Sequence, residues 1–407
     1  MIRVPPAGAL LATGDPWEPW RLVDPDGEKV QPVADYLKDL QAAGRTAATQ
    51  RSYGMDLLRW FRFLWAIDVA WDKVTRAEAR DFARRLQLAD KPARAPRKAK
   101  PVSRARTPGT PNPVTGKPSP GPGYAPATAA HCETVLRNFY DFHVDAGAGP
   151  IVNPFPLDRG RRGRGANAHR NPMDPNRTQR SGQFRPRLQQ RPPRCIPDER
   201  FNELFTLLPS LRDRALVAFW ISTGARASEL LGARQADADP GQQLITVIRK
   251  GTRAMQQLPA SPDAFVWLRL YQAQTRGLVP AGRDEPLWWT LRRPFRPLTY
   301  HAARAMFTRA NAALGANWTL HDLRHTAAYR MARDPDMPLT DVQWVLGHAH
   351  LSTTQIYLSA PAEEVIASII AHHARRSGRT SPQPGGSQVP LRYRPESLDI
   401  LFRRDQP

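Results

Sequence analysis

Cysteine is nearly absent: Cys132 and Cys195 are the only two in 407 residues. Two thiols cannot build a disulfide framework or a four-cysteine zinc site. No run approaches the roughly 18 consecutive apolar residues of a membrane span. The opening MIRVPPAGALLATGDP has too short an apolar part, interrupted by proline, for a secretory signal. Acidic residues are scarce as well: 37 Asp and Glu against 59 Lys and Arg leave a formal charge of +22. Lysine is rare in the later chain, where Lys250 is the only one after Lys117. The expectation is a soluble, cytoplasmic protein in a reducing compartment.

Proline, by contrast, is abundant. Its 41 residues are about twice the usual share of roughly 5%, an excess that points to linkers. The hydrophobic content of 41% still supports folded domains and excludes a wholly disordered chain. Positive charge gathers in two places. Lys91–Lys117 holds eight basic residues and no acidic one, and Arg159–Arg194 holds eleven basic residues against Asp174 alone. Both stretches are rich in Pro and Gly and carry most of the net charge. Such segments attract any polyanion through a salt-sensitive, sequence-independent term. Charge alone does not choose among polyanions.

Periodicity divides the rest. Residues 1–30 show no sustained period, and Trp17 and Trp20 are candidates to pin this N-terminal extension onto a neighbour. From Val33 the pattern is helical, with Tyr53, Leu57, Trp60, Phe61 and Leu64 on one face. A helix is expected after Thr75, with Ala79, Phe82, Ala83 and Leu86 inward. Another carries Cys132, Leu136, Phe139, Tyr140 and His143 and ends near Gly147. Residues 31–150 therefore read as a small helical domain, with a disordered basic Pro-rich insertion at 90–125. A basic linker follows at 151–195, then a second domain at 196–378 and a tail at 379–407. In the second domain Arg214–Ser222 reads as a buried helix ending at a Thr223-Gly224 turn. Leu244–Ile248 with the Lys250-Gly251 turn reads as a β-hairpin. Thr340 and Gln343 suggest a capping box, with Gly347 closing that helix and Trp344 packed inside. A helix over Glu363–Ala374 closes the domain.

Four features of the second domain stand in order. STGARASELLGAR places Arg226 just after the Gly224 turn and Glu229 three residues on. HDLRHT sets His321 and Arg324 at i and i+3 on one helix face. VLGHAH puts His348 at a helix end, and STTQIYL presents Tyr357 nine residues later. With the hairpin Lys250, this ordered set resembles the tyrosine recombinase, or phage-type integrase, family. That family's pattern is an Arg in T-G-x-R-x-S-E-L, a β-hairpin Lys, H-x-x-R, L-G-H, and a Tyr nine residues beyond. All five elements are present in order, which is far more specific than any one of them.

The resemblance implies a mainly α fold with a small β-hairpin or sheet (α+β): a helical SAM-like core-binding domain, then a tyrosine-recombinase catalytic domain, clamping opposite faces of double-stranded DNA. It implies that Arg226 and Arg324 clamp the nonbridging oxygens of a phosphodiester, a task that suits guanidinium forks. His321 and His348 would add donors or assist proton transfer. Tyr357 would be the nucleophile, forming a 3′-phosphotyrosyl bond and releasing a 5′-hydroxyl. Lys250 would protonate that leaving oxygen, and a lone lysine in an Arg-biased segment fits the assignment. Glu229 would orient its helix without taking part in the chemistry. No cofactor or metal is expected. His321 and His325 have the i, i+4 spacing of a zinc pair, but Asp322 stands where such a motif has Glu.

The family also implies a homotetramer on paired DNA sites, exchange of a C-terminal segment (the helix after Tyr357 or the tail through Leu391–Phe402), an accessory directionality factor, and a nucleoid-associated location. The basic insertions favour an integrase or transposase of a mobile element. Two other readings use the same fold: a catalytically silent DNA-binding protein, and a type IB topoisomerase-like enzyme. The intact residue set argues against the first, and the helical N-terminal domain with L-G-H argues against the second. An RNA-binding reading rests on charge alone.

Overall fold

A computed structural model of the chain describes residues 4–91, 109–118, 121–158, 181–188, 193–357 and 369–375. Much of the basic insertion, most of the basic linker, the first half of the Glu363–Ala374 helix and the tail with Leu391–Phe402 lie outside the described residues. The chain divides into two compact units, Met1–Arg191 with Gly315–Asn317, and Pro192–Leu314 with Trp318–Pro407.

The first unit opens on an antiparallel hairpin of β1 (Ala9–Ala12) and β2 (Trp20–Val23), in the register Ala9↔Val23 to Ala12↔Trp20. The sequence gives no sign of this hairpin within the N-terminal extension at 1–30. Four-residue strands are too short to show a period, yet they pack on the helices that follow. These are α1 (Gln31–Ala42), α2 (Ala47–Ile67), α3 (Arg76–Leu88) and α4 (Pro126–Asp145). Gly54 seats the hairpin on α2: a Cβ there would stand 2.8 Å from the Leu10 side chain. Trp20 does pin the segment, donating from Nε1 to Ala47 O at 2.9 Å. Trp17 does not; it is 84% exposed.

Local chemistry sets the helix starts. Thr46 caps α2, and Thr75 with Glu78 forms a capping box on α3. The core is aromatic, with Trp60, Phe63, Phe139, Tyr140 and Phe155 all fully buried. Trp60 Nε1 donates to the Tyr140 hydroxyl at 2.9 Å, and that hydroxyl donates in turn to Trp71 O at 3.1 Å. Each such ring stabilises by about 1.5–3 kcal/mol through burial. Cys132 lies wholly inside this core.

The second unit runs α5 (Asp198–Thr206), α6 (Leu211–Thr223), α7 (Ala227–Leu231), β3 (Ala238–Asp239), β4 (Leu244–Ile248), β5 (Met255–Pro259) and α8 (Pro262–Thr275). It continues with α9 (Tyr300–Ala313), α10 (Leu320–Arg333), α11 (Leu339–Leu346) and α12 (Leu351–Gln355). The strands form one antiparallel sheet in the order β3-β4-β5, with Leu244↔Pro259 through Ile248↔Met255 paired in the expected hairpin. Apolar on nearly every side, α6 is the central helix and packs against α8 and α10. The fold class is thus mainly α with a small β component.

Two details of α11 differ from expectation. Its N-cap is Pro338, so Thr340 sits inside the first turn and forms no capping box. Gln343 bonds forward instead, donating to His348 O at 2.9 Å. Trp344 points outward at 57% exposure, because Val342, Val345 and Leu346 occupy the buried face.

Candidate active site

The site is assembled at the ends of short elements in the second unit. Helix α6 stops at Gly224, whose φ of 61° lies in the left-handed region. A Cβ there would come within 2.9 Å of Leu346 Cδ2, so the turn also presses against the end of α11. Two residues later Arg226 occupies the N-cap of α7. Its backbone N–H donates to Glu229 Oε2 and its Nη1 to Glu229 Oε1, both at 2.9 Å. The Arg226 side chain remains 31% exposed, leaving guanidinium donors open to solvent.

Glu229 is almost wholly buried and collects four donors. Besides Arg226 it accepts from Arg249 Nη1 at 3.1 Å and from the Lys250 backbone N–H at 3.0 Å. Burial pushes its carboxyl pKa up, but the Lys250 and Arg226 hydrogen bonds and the Arg249 charge outweigh burial and hold it below its ordinary value. Arg249 is itself buried. It donates from Nε to Gln256 Oε1 at 2.6 Å and from Nη2 to Val345 O. Gln256 reaches Trp344 O at 2.8 Å. The β4–β5 hairpin is thereby tied both to α7 and to the last carbonyls of α11. Gly347, at φ 62°, ends α11 where a Cβ would stand 3.0 Å from Arg249 Nε.

Arg324 is the innermost group, 2% exposed on α10. Its Nη1 donates to Gly224 O at 2.7 Å, and its Nη2 to Leu346 O at 2.6 Å and to His348 Nε2 at 3.1 Å. Burial, reinforced by the nearby charge of Arg226, lowers its pKa to about 10, so it stays protonated at neutral pH. A guanidinium has no acceptor, so His348 Nε2 must accept, and the His348 proton sits on Nδ1, facing Thr354 Oγ1 at 2.9 Å. Burial and the Arg324 charge lower the His348 pKa to about 4.

Tyr357 closes the site just beyond α12. Its ring is 4% exposed, lies parallel to the His348 ring, and packs with Ala328, Val342 and Leu346. Its hydroxyl is 2.8 Å from His325 Nδ1. Burial raises the phenol pKa, with Arg324 and Arg226 pulling the other way.

Arg226, Glu229, Arg324, His348 and Tyr357 are thus brought together. Lys250 joins through its backbone N–H, while its side chain is exposed on the hairpin turn. His321 is exposed at the start of α10, edge-on to His325 with ring centroids 4.3 Å apart. Among the described residues, no group of three or more His, Cys, Asp or Glu is placed to hold a metal ion. Two members escaped the sequence reading. His325 stood out only by its spacing from His321, and Arg249 only as the neighbour of Lys250.

A family model for the phage integrase family matches residues 196–364. That match spans about two fifths of the chain and makes this segment similar to the phage integrases. Among curated relatives, the chain is 27% identical over 198 residues to tyrosine recombinase XerD of Neisseria meningitidis serogroup B, covering 47% of this chain and 66% of that protein. To XerD of Pseudomonas aeruginosa it is 32% identical over 168 residues, covering 40% and 55%. The chain spans roughly half to two thirds of the curated relatives it matches. Among solved structures, the Tn1549 transposon integrase in complex with circular intermediate DNA matches with a TM-score of 0.53 and 15% identity, over 83% of this chain and 98% of that one. The lambda integrase dimer bound to a COC′ core site matches at 0.52 and 14%, over 87% and 78%. At these identities the likeness is one of fold.

Proposed function

We propose that the chain is a site-specific DNA recombinase that breaks and rejoins double-stranded DNA through a 3′-phosphotyrosyl intermediate. The observation that carries the reading is that His348 links Arg324 to Tyr357, bonding to the guanidinium at 3.1 Å and lying parallel to the phenol ring. A buried guanidinium, fixed by two main-chain carbonyls and beside the half-exposed Arg226, is a preorganised anion site next to a buried phenol. In this reading Arg226 and Arg324 hold the nonbridging oxygens of one phosphodiester. His348 shares the anion through its contact with Arg324. Tyr357 Oη attacks phosphorus and the 5′-oxygen leaves, protonated by Lys250 when the hairpin turn folds over the DNA. The phosphotyrosyl bond keeps the energy of the broken linkage, so another 5′-hydroxyl can reseal it without ATP.

The likeness to the Tn1549 integrase and to Xer recombinases supports a recombinase, and the transposon integrase favours a mobile element. A homotetramer on paired sites and an accessory directionality factor complete the proposal. The helical unit would contribute a second DNA-contacting surface. The test mixes the wild-type chain and Tyr357→Phe with nicked duplexes of random sequence, quenches in SDS, and counts covalent adducts. Adducts with wild type alone are expected. Equal adducts with both proteins would contradict Tyr357 as the nucleophile, and gel-shifted DNA with no adduct from either would contradict the enzyme reading.

A further inference from the structure

Three imidazoles stand near Tyr357, and their hydrogen bonds separate them. His348 is committed at both nitrogens, to Arg324 and to Thr354 Oγ1. His321 is exposed and meets His325 ring to ring. His325 alone touches the phenolic oxygen, at 2.8 Å through Nδ1. Among the described residues the phenolic hydrogen has no other acceptor. We propose that His325 is the base that takes the Tyr357 proton during attack and the acid that returns it on rejoining. The inference rests on Tyr357 being the nucleophile.

The step balances. The Oη–H bond breaks and its proton passes to His325 Nδ1 as the Oη–P bond forms and the P–O5′ bond breaks. The proton that the leaving 5′-oxygen needs comes from Lys250, so His325 keeps its own for the reverse reaction. Rejoining runs the same transfers backwards. His325 is neutral at pH 7, because burial and the neighbouring His321 lower its pKa to about 4, so one ring nitrogen is free to accept. Asp322 and Arg324 on α10, Arg194 ahead of α5, and Tyr357 complete its charged and titratable surroundings. A buried phenol whose pKa is raised cannot supply its own phenolate at neutral pH, so a partner that removes the proton has a task to do.

His325→Asn tests the assignment, since Asn Oδ1 can accept the phenolic hydrogen near the Nδ1 position but cannot carry a proton away. Single-turnover adduct formation would be followed from pH 6.5 to 9 on the duplex most enriched in wild-type adducts, with His325→Gln alongside and thermal midpoints confirming folded proteins. The expected deficit at pH 7 is about 100-fold or more, shrinking by about tenfold with each pH unit as Tyr357 ionises unaided. A duplex with a 5′-bridging sulfur, whose leaving thiolate needs no proton, should restore Lys250→Ala and leave the His325→Asn deficit unchanged. A deficit equal at every pH, a rescue of His325→Asn by the sulfur, or a wild-type rate in His325→Asn would each overturn the inference. A wild-type chain forming no adduct would sink the nucleophile reading itself, an outcome distinct from these.

Discussion

Arg324 carries a charge at 2% exposure, which is tolerable only because two carbonyls and an imidazole accept its hydrogen bonds. Removing it leaves Gly224 O and Leu346 O without partners, each a cost of about 1–3 kcal/mol. Arg324→Ala should therefore lower the thermal midpoint and also cut adduct formation by about 100-fold or more. Arg324→Lys should stay folded better yet remain nearly as inactive, because one ammonium cannot reach both carbonyls and an anion. Calorimetry and the adduct assay read the two effects separately. The imidazoles give a pH prediction. His325 and His348 titrate near about 4 in the fold and near the ordinary 6.5 when unfolded. The folded chain then binds fewer protons than the unfolded one between those values, so stability is lost as pH falls through that window. Urea midpoints measured from pH 7 to pH 4 should fall, and less steeply in His348→Gln.

At the scale of elements, the site is held by turns more than by long helices. Gly224 and Gly347 both sit at positive φ, and each lies against a neighbour that a side chain would displace. Gly224→Ala should cost about 1–3 kcal/mol from backbone strain and the Leu346 contact. It should also reduce adduct formation, because Arg324 Nη1 bonds to Gly224 O; thermal unfolding and the adduct assay check both. The sequence made these turns visible, since T-G and L-G after an apolar run are local signals. Arg226, Arg324, His348 and Tyr357 were likewise recognisable from their order and spacing. What stayed hidden were links between distant residues. Nothing local in Arg249 announces its bonds to Glu229 and Val345, and Gln256 gives no sign of reaching Trp344. The β1–β2 hairpin was missed because four-residue strands carry no readable period. The α11 start was misplaced because Pro338 opens that helix ahead of Thr340.

For the whole molecule, the excess positive charge lies largely in two stretches, Lys91–Lys117 and Arg159–Arg194. If the Arg159–Arg194 segment meets phosphates, replacing Arg159, Arg161, Arg162, Arg164 and Arg170 with Gln should weaken DNA binding for all sequences alike. It should also flatten the dependence of log affinity on log salt by up to about 4–5. Cleavage of bound DNA would be unchanged. Fluorescence anisotropy across a salt series separates this from loss of site recognition, which would spare non-specific binding. The central claim is that Tyr357 is the nucleophile, and one measurement addresses it most directly. The wild-type covalent adduct would be digested with nuclease and protease, and the nucleotide-bearing peptide located by mass spectrometry. The account predicts a single modified residue, Tyr357, joined to a 3′-phosphate, with a free 5′-hydroxyl on the released strand. A nucleotide on any other residue, or a 5′-phosphate link, would contradict it.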